Sequence, residues 1–163
     1  WETNQSYWYA LNKWTGWILK GNDWTNNMKK INLLKDYSCL TEIVHCKSQH
    51  ENELSPKCED SCIERWMRHI LDKFNGRFVV IVGDKANEKY HTMQNLLEKM
   101  IITIIKMPHP NPRRNKPRDI VFRKMIELQI NINDQTKYLK KSLKEIKQEA
   151  ESYLNENQIV KTN

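Results

Sequence analysis

Little in this sequence can turn a chain sharply. Only four of its 163 residues are glycine: Gly16, Gly21, Gly76 and Gly83. All-β folds need many tight turns, so this scarcity argues for helices. No run of 18 apolar residues occurs, which excludes a hydrophobic helix spanning a membrane. Cysteine is missing outside residues 39–62, and four of the five prolines fall within residues 108–117. There is no H-E-x-x-H, G-x-S-x-G, P-loop or dinucleotide fingerprint. These absences lead to the expectation of a protein that is not an enzyme, with no catalytic residues, no cofactor and no metal.

What is present begins with four clustered cysteines, Cys39, Cys46, Cys58 and Cys62, spaced C-x6-C-x11-C-x3-C. Such spacing suits a helical hairpin over about residues 39–75, closed by two nested disulfides. Along a helix the first pair spans about 10.5 Å and the second about 6 Å. Antiparallel packing then favours Cys39 with Cys62 and Cys46 with Cys58, although spacing alone leaves three connectivities open. Zinc is the competing reading, with His45 and His50 as further ligands. Only Cys58 and Cys62 have the spacing of a zinc knuckle, so disulfides are preferred. Disulfides imply an oxidising compartment. The chain also begins at Trp1 and not Met, as a mature product would after removal of a signal peptide. The expected location is therefore secreted and extracellular, with Asn4 in an Asn-Gln-Ser sequon as a glycosylation candidate.

Apolar periodicity supplies the helices. Tyr7, Leu11, Trp14 and Ile18 form one stripe, ended by Gly21, and Trp8 and Trp17 lie beside it. Ser55 and Pro56 have the chemistry of a helix start. Phe78-Val79-Val80-Ile81-Val82 reads alone as a buried strand, but no clear partner follows. It is taken as a buried connector or helix, with strand pairing across a dimer as the alternative. From Ala86 to Ile104 an i, i+4, i+7 stripe predicts one helix over residues 84–107. A second stripe, Val121 to Ile146, predicts another over residues 119–154. The expected fold is thus all-α: a single helical domain over residues 1–163, with two long antiparallel helices and a frayed C-terminus at 156–163.

Between those helices lies a basic, proline-rich loop, residues 108–118. The formal charge of +7 is concentrated near it: residues 84–118 carry a net +5. Arg113, Arg114, Lys116 and Arg118 offer bidentate contacts to carboxylate or phosphate on a backbone stiffened by proline. Arg113-Arg114 also reads as a dibasic processing site. His109 is taken as a solvated loop residue, and Glu59, Asp60 and Glu64 as a solvated face paired with basic neighbours.

The functional expectation is a secreted, non-enzymatic effector or ligand that binds an extracellular or host protein, with Trp8, Trp17 and the basic loop as contact candidates. Alternatives are a carrier of an apolar ligand, or a membrane-surface binder, using the Trp-rich N-terminal helices. A further one is anion, glycan or nucleic-acid binding through residues 109–118. Nucleic acid ranks low because the loop has no aromatic residue to stack on bases.

Overall fold

In a computed structural model, the described residues are 5–21, 33–39, 41, 55–97, 99–100, 102–110, 119–130 and 135–159. The chain order is α1 (Gln5–Lys20), α2 (Leu33–Tyr37), α3 (Pro56–Asp72), β1 (Phe78–Val82), α4 (Asp84–Glu88), α5 (Tyr90–Leu97), β2 (Thr103–Met107), α6 (Asp119–Ile130), α7 (Gln135–Leu139) and α8 (Leu143–Ile159).

The expected all-α bundle is replaced by an α/β arrangement. Strand β1 pairs with β2 in parallel, in a register running from Phe78 opposite Thr103 to Val82 opposite Met107. The strand that lacked a partner in the sequence reading finds one 25 residues downstream, within the same chain, so no dimer is needed to satisfy it. The long helix expected over 84–107 is two short helices followed by β2. Ile101 to Ile105 is as β-branched as β1, but its residues are apolar on both faces. Such a run satisfies a helical stripe and a buried strand equally well. The expected helix over 119–154 is likewise three helices. Ser142 and Glu145 form a capping box that starts α8: Glu145 N donates to Ser142 Oγ at 3.3 Å, and Ser142 N to Glu145 Oε2 at 2.7 Å.

Period-2 alternation splits the core across the sheet. Phe78, Val80, Val82, Ile105 and Met107 face α1, α6 and α8, where they meet Leu11, Trp14, Phe122 and Ile146. Val79, Ile81 and Ile104 face α3 and α5, against Ile63, Met67, Tyr90 and Leu97. Helices therefore cover both faces, as parallel strands require. Gly21, at φ +76°, ends α1, and Ser55 caps α3 through Cys58 N at 3.3 Å, with Pro56 opening the helix.

Gln129 of α6 closes the outer edge of β2. It is 1% exposed; its Oε1 accepts from Lys106 N at 2.8 Å, and its Nε2 donates to Lys106 O at 3.0 Å. One side chain thus imitates a neighbouring strand and satisfies both backbone groups of Lys106.

The two nested disulfides of the expected hairpin do not form. Cys39 and Cys58 are exposed free thiols, which removes both expected pairs, Cys39–Cys62 and Cys46–Cys58. Cys62, buried on α3, is disulfide-bonded, and Cys46 lies outside the described residues. Among those residues no disulfide joins two cysteines. The first helix of the expected hairpin, over about residues 39–46, lies almost wholly outside the described residues.

Candidate functional site

Two parallel strands that end together leave a crevice at their carboxyl edge, the usual ligand site of α/β sheets. Here the edge is built with unusual care. After Val82 the chain turns at Gly83, whose φ of +91° is open to glycine and strained for any L side chain. Gly83 N donates to Met107 O at 2.9 Å, extending the ladder by one bond and holding the strand exits side by side. The carbonyl of Gly83 then accepts from Asn87 N at 3.1 Å, which folds α4 back over the turn.

Asn87 ties the two exits together. Its Nδ2 donates to Gly83 O at 2.7 Å and reaches Ile81 O at 3.3 Å and Met107 O at 3.4 Å. Asp84, the first residue of α4, stands exposed at the end of β1. Helix α4 cannot swing freely, because Lys85 and Lys89 bind Glu59 on α3 at 3.0 and 3.1 Å, and Lys89 also binds Asp60 at 2.8 Å. The hydrogen bond from Lys85, then that from Lys89, holds the Glu59 carboxyl below its ordinary range. Glu59 and Asp60 are therefore fastened to α4 and α5, not spread over a solvated face.

At the end of β2 the chain continues as Pro108-His109-Pro110. Both prolines are buried and His109 is exposed. Proline on either side restricts the backbone, so the imidazole is presented from a stiff segment. The β-carbon of His109 lies close to Gly83: a methyl group built on Gly83 would sit 3.6 Å from it. The His109 ring packs against Tyr7 of α1, with centroids 5.3 Å apart. Asp84 and His109 thus leave adjacent strand ends, with Tyr7 beside the imidazole.

Behind the edge, Lys106 is buried on the α5 face of β2. Its Nζ donates to Leu139 O at 2.8 Å and Lys141 O at 3.1 Å, and it lies 4.3 Å from the centre of the Tyr90 ring. Burial lowers its pKa. This lysine binds β2 to the end of α7 and is not open to a ligand.

The sequence candidates fare differently. Trp17 is buried at 6% exposure, and Trp8 is half-buried against the core, so the tryptophans do not form an exposed contact patch. Trp14 meets Phe122 edge-on at 5.2 Å, as core rings do. Asn4, Arg113, Arg114, Lys116 and Arg118 lie outside the described residues, as do His45 and His50. An apolar cavity of about 230 Å³ runs between α1, α2 and β1, lined by Trp14, Ile18, Tyr37, Phe74 and Val80. It includes neither Gly83, Asp84 nor His109, and its single charged lining residue is Arg77.

Sequence reasoning gave no site role to Gly83, Asp84, Asn87, Tyr7 or His109; Tyr7 is read there as a core-stripe residue and His109 as a solvated one. A signal existed: two β-branched runs, each followed at once by a turn carrying a polar side chain. It is legible only when both runs are read as strands.

Comparison with curated proteins and with solved structures finds no match. A family model, that of the uracil DNA glycosylase superfamily, matches residues 8–147. This family consists of enzymes that act on DNA, which overturns the expectation of a non-enzymatic effector or carrier. It overturns equally the expected extracellular protein partner, the low rank given to nucleic acid and the secreted location. Its fold, α/β with a parallel sheet, agrees with the strands seen here. Since the match covers most of the chain and takes in both strand ends, this protein belongs to the uracil DNA glycosylase superfamily.

Proposed function

We propose that the chain removes a base from DNA by breaking the bond between the deoxyribose C1′ and the base nitrogen, with uracil as the base. The observation that carries this reading is the family match across residues 8–147, which spans β1, β2 and the turns after them. A DNA substrate also puts the protein to work where DNA is held, inside a cell or organelle.

The chemistry fits the two exposed groups at the strand ends. A base inside a duplex is out of reach of side chains, so it must leave the stack and enter a protein crevice. As the bond breaks, positive charge grows on the sugar and negative charge on the departing base. The Asp84 carboxylate supplies the anion that favours the first and can take a proton from the attacking water. The His109 imidazole, at the neighbouring strand end, supplies the hydrogen-bond donor that favours the second. Water adds to C1′, its proton passes to the carboxylate, and the base leaves with the bonding electron pair.

Arg113, Arg114, Lys116 and Arg118 lie within eight residues after Pro110 in the sequence. We assign them to the DNA phosphates, which position the strand without reading it. Lack of an aromatic residue in the loop is no obstacle to that role.

The test is base release from a single-stranded oligonucleotide with one uracil, read as strand breakage after alkali. The wild type should cleave, and Asp84→Asn and His109→Ala should each be slower by about 10²–10⁴-fold. Replacing the four basic residues by Gln should weaken binding and flatten its salt dependence, by about 0.7 in the log–log slope for each lost phosphate contact. No release by the wild type from uracil-containing DNA, single- or double-stranded, would defeat the reading.

A further inference from the structure

The aromatic residue beside His109 comes from the far end of the sequence. Tyr7 lies near the start of α1, about a hundred residues before the strand exit it touches. Its ring and the imidazole are inclined at 35° with centroids 5.3 Å apart, so one face of the imidazole is covered. Trp8 meets the Tyr7 ring edge-on, at 5.1 Å and 88°. Helix α1 is itself fixed, by the burial of Leu11, Trp14 and Trp17 and by an ion pair from Lys13 to Asp119 on α6.

Consider what the His109 segment leaves undetermined. Pro108 and Pro110 restrict the backbone, but the two side-chain torsions of the histidine remain. An exposed imidazole with free torsions samples several rotamers, and a donor that must meet a developing charge loses rate by doing so. Tyr7 is the one described ring stacked on this imidazole. Burial raises the pKa of its phenol, so it adds no charge of its own beside the imidazole.

We propose that Tyr7 is a positioning residue: its ring, braced by Trp8, holds the His109 imidazole in the orientation that meets the departing base. The proposal rests on the glycosylase reading of His109. It gives the start of the N-terminal helix, which otherwise packs on the core, a role at this edge.

The full-length chain is the material for the test, as wild type, Tyr7→Phe and Tyr7→Leu. Two readouts are taken. In a proton–carbon spectrum of the histidine rings, His109 is identified by its loss in His109→Gln. Tyr7→Leu should move the His109 resonances downfield as the covering ring is lost, while His69 and His91 on α3 and α5 stay in place and report an intact fold. Tyr7→Phe, which keeps the ring, should leave His109 unchanged. In base release, Tyr7→Leu should lower kcat about tenfold with KM nearly constant, and Tyr7→Phe should restore it. Unmoved His109 resonances in folded Tyr7→Leu, or an unchanged kcat, would overturn the proposal. If the wild type itself releases no base, the glycosylase reading fails, and the ring spectrum alone still decides whether Tyr7 holds the imidazole. Tyr7→Met serves the same purpose if the leucine variant does not fold.

Discussion

Two regions beside the parallel strand pair are built on opposite principles. Along one face of β1, from Phe78 to Val82, the α1 side chains Trp14 and Ile18 border an apolar cavity of about 230 Å³. The carboxyl end has a glycine turn, an amide that binds three backbone carbonyls, an exposed carboxylate and an exposed imidazole. The apolar cavity is the wrong place for chemistry. A cavity of apolar walls can hold a molecule but offers little to stabilise a changing charge. The lesson is that direction along a parallel strand is a better guide to the site than concavity, because strand exits deliver polar loop residues to one edge.

Four measurements would break or sharpen that contrast. The largest difference should be in activity. His109→Ala at the carboxyl end should lose about 10²–10⁴-fold in base release, whereas Val80→Ala, in the cavity wall, should cost about 1 kcal/mol of stability and leave activity per folded molecule intact. Equal losses of activity would erase the distinction between the two regions.

Next comes the edge of β2. Gln129→Leu keeps bulk but leaves Lys106 N and O without the partners they have now, and should cost about 2–4 kcal/mol in denaturant unfolding. A loss under about 0.5 kcal/mol would mean that another group closes the edge.

Gly83→Ala tests the turn itself. Nothing blocks the added methyl group, whose nearest neighbour would be 3.6 Å away. The penalty is in the backbone, at φ +91°, and should be about 1–3 kcal/mol together with reduced base release. Unchanged melting would show that the turn tolerates a side chain.

The smallest effect is pH-dependent. Burial raises the pKa of Glu149, but hydrogen bonds from Lys141, Lys137 and Tyr138 outweigh it and hold the carboxyl at about 2. A carboxylate whose folded pKa is lowered stabilises the fold above its unfolded value, near 4.5, and loses that contribution as pH falls toward 2. The contribution should be about 1–3 kcal/mol at neutral pH. These contacts tie α8 to the α7 end that holds Lys106, and so to β2. Glu149→Gln should remove the stability change between pH 4.5 and 2; an unaltered acid profile would place the titration elsewhere.

Part of this was legible in the residues alone. The helix starting at Ser55-Pro56 and the stop at Gly21 follow from local backbone preferences, and the structure has both; residues 78–82 have the local preference of a strand, but the lack of a visible partner pointed to a connector or helix, and the structure makes them β1. The second strand was hidden because Ile104 to Met107 is buried on both faces, and a doubly buried run has no period to read. Breaks between α6, α7 and α8 were hidden for a related reason: Val121 to Ile146 keeps helical spacing across the gaps. The cysteine spacing misled about the pairing, because several pairs are compatible with one spacing and Cys39 and Cys58 are both free.

Local chemistry was therefore decided by the chain itself: where helices begin, where glycine is needed, which faces are apolar, and where the positive charge collects. Only the tertiary structure decided that β1 and β2 lie side by side, that Gly83 and His109 touch, and that Tyr7 reaches them from α1. The physical reason is distance along the chain. Backbone preference and capping act over a few residues, whereas the site joins groups about 25 and 100 residues apart, and those contacts exist only once both faces of the sheet are buried.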